Sequence, residues 1–123
     1  MGNLKAIAVE FLQLAAAGRA PTAFERYAAP GFRHHNVHVN AGADALRDAM
    51  QANAAQFPDK VLEVQRALED GSLVAVHSRV TMGRNGPTVT VAHIFRFEAD
   101  RIVELWDIGQ PVPPDSPNAD GAF

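Results

Sequence analysis

Residues Val89 to Asp107 limit what this chain can become more than any other stretch, because they read as two strands joined by a tight turn. A strand sends alternate side chains to opposite faces. On the first strand Val89, Val91, His93, Phe95 and Phe97 share one face, and Thr90, Ala92, Ile94, Arg96 and Glu98 take the other. On the second, Val103, Leu105 and Asp107 share a face opposite Ile102, Glu104 and Trp106. One face is therefore apolar except for His93 and Asp107. An imidazole and a carboxylate set in such a wall are costly unless they are paired or used.

Pairing His93 with Asp107 places Glu98 opposite Ile102 and leaves Ala99, Asp100 and Arg101 as a three-residue connection. Such loops need one residue in the left-handed region, which Asp100 tolerates best. A two-residue turn would set His93 against Trp106 and separate the pair.

Upstream, the spacing changes from strand to helix. Leu4, Ile7, Ala8, Phe11, Leu14 and Ala15 recur at helical intervals between Asn3, a good N-cap, and Gly18, a natural stop. Pro21 suits the first turn of a short second helix carrying Phe24 and Tyr27 and ending near Pro30-Gly31. Phe32 to Val39 reads as an extended segment. A third helix follows, with Leu46, Met50, Ala54 and Phe57 inward and Pro58 closing it. Val61–Glu69 and Leu73–Met82 are strands around an Asp70-Gly71 turn. Helices followed by an antiparallel meander make an α+β fold with helices on one side of a sheet. Residues 110–123, rich in proline, are expected to be an extended tail of a single domain spanning 1–123.

Composition removes several classes of function. There are no cysteines, hence no disulfide framework and no thiolate ligand or nucleophile, and a cytoplasmic location is expected. The formal net charge of -3, with dispersed Lys and Arg, gives no footprint for nucleic acid. No apolar run reaches the roughly 20 residues that span a bilayer, and no signal peptide is evident. The expected partner is a small molecule.

Several motifs in order resemble the SnoaL-like polyketide cyclases of the NTF2-like superfamily. They are Tyr27 with Pro30-Gly31-Phe32, then His34-His35-Asn36-Val37-His38 leading to Gly42. Later come His93-Ile-Phe-Arg-Phe-Glu, Arg101-Ile-Val-Glu, Trp106-Asp107 and Gly109-Gln110-Pro111. The resemblance implies a cone: a strongly curved antiparallel or mixed sheet wrapped around the N-terminal helices, with an interior pocket. It also implies intramolecular aldol closure of a hydrophobic carbonyl compound without metal or cofactor, with Asp107 as acid/base and His93 beside it. Where members usually read Gln-His-Asn-Pro this chain has His34-His35-Asn36-Val37, which alters the pocket rim. The same fold carries isomerases, dehydratases and binders, so it does not fix the reaction.

A base for enolisation works best with a pKa near working pH. Desolvation among Val103, Leu105 and Phe97 would raise that of Asp107, and a charged His93 would lower it. The useful partner is a neutral His93 that orients Asp107 or donates to the enolate oxygen, and the two should titrate jointly. His35, Asn36, Tyr27 and His77 are candidate substrate contacts, with Phe97 and Leu105 as apolar lining. His34 alternates to the opposite face and is expected at the surface. Against a role in binding, Tyr27 could be core, His77 could lie on an outer strand face, and His35 and Asn36 could tie a strand-to-loop junction. If odd residues of Leu73–Met82 also point inward, His77 lies beside His93 and Arg79 faces the pocket. Adjacent histidines diverge along a strand, so His34, His35 and His38 make no zinc site.

The remaining face, with Trp106, Ile102, Ile108, Ile94, Val74, Val76, Val80 and Met82, would then be an outward apolar stripe suited to a homodimer. Two further readings stay open: a non-catalytic module binding a small hydrophobic ligand, and an assembly domain whose pocket is filled by side chains. An epoxide hydrolase would need a second inward carboxylate, which is not visible.

Overall fold

Leu4 to Ala16 form α1, and its buried residues Ala8, Phe11, Leu12 and Ala15 fall at the i, i+3, i+4, i+7 spacing that gives a helix one apolar stripe. The computed structural model describes residues 3–123, so residues 1 and 2 of the expected domain lie outside the described residues. Asn3 occupies the N-cap position, yet its side chain makes no capping hydrogen bond. Gly18 does stop the helix as expected, at φ +82°, a backbone conformation that costs glycine nothing.

Ala20 to Tyr27 form α2, which opens on Pro21 and gives way directly to strand β1, Ala28–His35. The helix thus ends before Pro30-Gly31, and those two residues sit inside the strand where its ladder is interrupted between Ala28 and Arg33. Proline lacks the donor a ladder needs, so the break falls there. α3 spans Ala43–Gln56 and buries Leu46 and Ala54.

The remaining chain is the expected meander: β2 (Val61–Asp70), β3 (Leu73–Thr81), β4 (Thr88–Glu98) and β5 (Arg101–Pro111). The five strands form one sheet in the order β1-β5-β4-β3-β2. β1 runs parallel to β5 and the other neighbours are antiparallel. Beyond Pro111, Val112 donates one more bond to the Thr88 carbonyl (2.8 Å), and residues 113–123 hold no helix or strand.

The hairpin of β4 and β5 reaches the expected pairing by an unexpected route. Its turn has two residues, Ala99 and Asp100, with Glu98 opposite Arg101 and Phe97 opposite Ile102. A bulge between Arg96 and Phe97 on the ladder then absorbs Val103, restoring Arg96 to Glu104 and His93 to Asp107. The extra residue flips the parity of the strand's first part. Ile102, expected outward, is consequently buried in the core. The left-handed residue is Ala99 at φ +53°, not Asp100.

β3 also departs from expectation. Val76 lies opposite His93 and Ser78 opposite Val91, so even-numbered residues face inward. Val74, Val76 and Val80 are buried there, and the stripe expected to be outward on this strand is interior.

The helices cover one half of the inward sheet face and fill it. Phe11 meets Phe24 and Phe95 at ring-centroid distances of 5.1 and 5.9 Å, and Phe24 meets Phe32 at 5.4 Å. Val74, Val76, Phe97, Ile102 and Leu105 complete this core. The other half of the face is open.

Candidate active site

The open half bounds a cavity of about 660 Å³ between the sheet and helices α1 and α3. Leu12, Ala15 and Ala16 line it from α1, and Leu46, Ala49 and Met50 from α3. From the sheet come Leu62, Val80, Val89 and Val91, with Met82 just beyond β3. His93 and Asp107 stand where the filled core stops and the cavity starts. Their strands bring them face to face, with His93 Nε2 3.2 Å from Asp107 Oδ1. The histidine is 6% exposed.

The second carboxylate oxygen is held by a residue 71 positions earlier in the sequence. Asn36 Nδ2 donates to Asp107 Oδ2 at 2.7 Å. Because β1 lies parallel beside β5, the segment after His35 emerges next to Asp107. Asn36 is fixed in turn: its Oδ1 accepts from His38 N (2.9 Å), and its own N–H donates to His34 Nδ1 (3.1 Å). Having accepted there, the His34 ring is left with Nε2 as donor to the Asn40 carbonyl, at 2.8 Å.

Burial pushes the Asp107 carboxyl up, but the His93 hydrogen bond and charge, with the Asn36 hydrogen bond, outweigh it and hold the group below its ordinary value. Asp107 is therefore a carboxylate at neutral pH. His93 spends Nε2 on that carboxylate, while Nδ1 is buried with no partner among the described residues. Of the two roles open to His93, the geometry matches orienting Asp107 rather than donating to an enolate.

Several expected contacts lie elsewhere, for reasons of parity. His34, not His35, points inward and is buried at 8% exposure. His35 borders the cavity, but its ring is directed to the outer face, where Nε2 meets Glu104 Oε2 at 2.6 Å and the ring stacks on Trp106 at 5.1 Å. Arg96 and Arg33 reach the same Glu104. The hydrogen bond from His35, aided by both arginines, holds that carboxyl below its ordinary range despite burial.

His77 lies on the outer face too, bonded to Thr90 Oγ1 at 2.8 Å and stacked on Phe123 of the tail. Arg79 joins it, 4.3 Å from the Phe123 ring, and does not enter the pocket. Tyr27 gives its hydroxyl to Glu10 on α1, away from the cavity. Phe97 and Leu105 are core residues behind the pair and do not line the space in front of it. The rings of His34 and His35 diverge, and no metal-sized group of His, Asp or Glu occurs among the described residues.

Two cavity residues escape sequence reasoning. Lys60 and Asn53 line the wall beside β2, where the Lys60 ammonium donates to Asn53 Oδ1. A lysine after a helix stop carries no sequence signal. Its place on the cavity wall follows from the short link that carries the chain from α3 into β2, which local pattern does not show.

Among the described residues no helix is long and apolar enough to cross a membrane. No functionally curated protein matches the sequence. Solved structures do resemble the fold. AclR from Streptomyces galilaeus, a proposed hydroxylase, is 20% identical with a TM-score of 0.73, over 89% of this chain and 90% of that one. IdmH from Streptomyces antibioticus, a proposed polyketide cyclase, is 22% identical with a TM-score of 0.65, over 83% and 88%. A proposed SnoaL-like polyketide cyclase from Jannaschia sp. CCS1 is 19% identical with a TM-score of 0.68, over 89% and 90%. The profile of the SnoaL-like domain family matches residues 8–105, ending two positions before Asp107. The chain therefore belongs to the SnoaL-like domain family of NTF2-like α+β folds.

Proposed function

We propose that the protein is a cofactor-independent acid/base enzyme acting on a hydrophobic carbonyl compound, with Asp107 as the base. What supports this reading above all is a carboxylate, ionised at neutral pH, at the floor of an apolar cavity and oriented through both oxygens by His93 and Asn36. Held this way, the carboxylate needs no rotamer search to meet an incoming C–H bond.

In the reaction, Asp107 takes a proton from carbon adjacent to a carbonyl, and the electron pair moves to the oxygen as an enolate. The enolate carbon attacks a second carbonyl of the same molecule, forming a carbon–carbon bond and an alkoxide. The alkoxide recovers the proton from Asp107. Atoms and charge balance without oxidant or reductant. The Asn36 amide carries a second N–H that its bond to Asp107 does not use, a donor for the developing enolate.

Proton–deuterium exchange of a polycyclic β-diketone, compared between the wild type and Asp107→Asn, tests this. A base matched to the working pH is worth about 10²–10⁴-fold; Asp107 is held below its ordinary value, so exchange should fall by about the lower figure. Equal rates would remove Asp107 from the chemistry.

A second reading has its own support. Both Asp107 oxygens are already engaged and the carboxyl is held low, which also suits a structural pair closing the sheet of a ligand-binding module. That protein would be protected against thermal unfolding by an apolar ligand, with affinity unchanged in Asp107→Asn and no exchange in either form.

A further inference from the structure

Lys60 stands across the cavity from Asp107 and has no carboxylate partner. It precedes the first residue of β2, the sheet edge, whereas Asp107 is on β5. Three strand spacings separate those strands, about 14 Å measured across a sheet, a span that a fused-ring skeleton fills. Lys60 also lies toward the β3–β4 loop, away from the filled core against which His93 and Asp107 rest.

Lys60 is half-buried and lines the same cavity as the apolar side chains of Met50, Leu62 and Met82. An ammonium has three hydrogens, and one is given to Asn53 Oδ1. No ion pair to Lys60 forms among the described residues, and neighbouring Asp59 is exposed. Burial pushes the Lys60 amine below its ordinary value, and no neighbouring carboxylate among the described residues offsets it. Lysine seldom sits at an apolar wall without a counter-charge, because desolvating the cation is costly. Asn53 tethers the ammonium and leaves its own amide N–H groups as further donors beside it. The cavity is thus polarised, with a carboxylate at one end and a cation at the other. An anionic ligand group is repelled from the first and drawn to the second.

We propose that Lys60, aided by Asn53, anchors an oxyanion, a carboxylate or phenolate, at the far end of the hydrophobic ligand and so sets which end meets Asp107. This rests on the pocket being a ligand site, and it adds the substrate class: an acidic aromatic or polycyclic compound rather than a neutral one.

Binding to the full-length protein can be measured with anthracene-2-carboxylate, its methyl ester, and the phenolate of 1,2-dihydroxyanthraquinone. The carboxylate should bind the wild type at least about tenfold more tightly than the ester, as a charge-assisted hydrogen bond gives. Lys60→Met should abolish that preference while ester affinity stays within about twofold, which also shows the variant folded. Lys60→Arg should restore most of it. Tight phenolate binding with the same dependence on Lys60 assigns the oxyanion to a phenol, and tight carboxylate binding alone assigns it to an acid. A wild type that does not prefer either oxyanion, or a Lys60→Met variant that keeps the preference, overturns the proposal. The two readings fail separately: exchange that is equal in the wild type and Asp107→Asn removes the base, whereas only the comparison of Lys60→Met with the wild type removes the anchor. Absence of binding by all three probes overturns the anchor and the pocket together.

Discussion

Removing the Asn36 side chain should cost stability in two parts that pH can separate. Asn36 Nδ2 donates to a carboxylate that is 17% exposed, and its Oδ1 accepts from the His38 backbone. A hydrogen bond to a charged group contributes about 1.5–3 kcal/mol and a neutral one about 0.5–1.5 kcal/mol. Asp107 keeps His93 on its other oxygen, so the first figure belongs at the lower end. Asn36→Ala should therefore lose about 2–3 kcal/mol at pH 7. Because folding lowers the Asp107 pKa, its contribution is complete above the ordinary value of 3.8 and is lost as pH falls through the folded value. The carboxylate part of the Asn36→Ala penalty must follow the same course and vanish in acid, leaving the His38 part. Urea unfolding of wild type and variant at a series of pH values from 7 downward measures both. The variant should also show an acid limb of stability displaced to higher pH. A penalty that stays constant across the series would mean that Asn36 only holds its loop, and Asp107 would lose its orienting partner.

Ala99→Gly should raise stability by up to about 1 kcal/mol in thermal unfolding, since it relieves a left-handed alanine at some cost in unfolded-state entropy. Asp100→Gly lacks that relief and should lose about 0.5–1 kcal/mol; the reverse order would refute the two-residue turn with its bulge at Val103. Phe95→Ala, in the filled half of the sheet, should cost about 3–5 kcal/mol in urea unfolding. Met82→Ala, at the cavity wall, should cost under about 2 kcal/mol because it enlarges an existing space, and similar losses at both sites would argue that no cavity separates the two halves.

The order of elements and the face shared by His93 and Asp107 can be read from residues alone because β4 mixes strong apolar and polar side chains at period two; their direct pairing depends on the bulge at Val103, which that period does not show. β3 offers no such contrast. Leu73 and Ala75 are as apolar as Val74 and Val76, so its inward face is decided by pairing with β4, across a loop whose length carries no register signal. The assignments of His77 and Arg79 fall with that parity. For His34 and His35 the deciding partner is still more remote: β1 docks parallel to β5, a contact between segments far apart in sequence that local pattern does not encode.

The bulge at Val103 has a consequence for chemistry as well as for register. Without it, the two-residue turn would pair Phe97 with Ile102 and run on to set His93 opposite Trp106, leaving Asp107 against Ala92 on the outer face. One surplus residue lets Ile102 close the core while Leu105 and Asp107 still point inward. The sheet can then be sealed at one end and carry an ionised group at the other, on a single strand. Asn36 arrives at that group because β1 pairs with the part of β5 beyond the bulge, from Glu104 to Trp106. The orientation of the carboxylate is thus a product of two register irregularities, at Val103 and between Ala28 and Arg33, each placed next to the filled core where displacement is most costly.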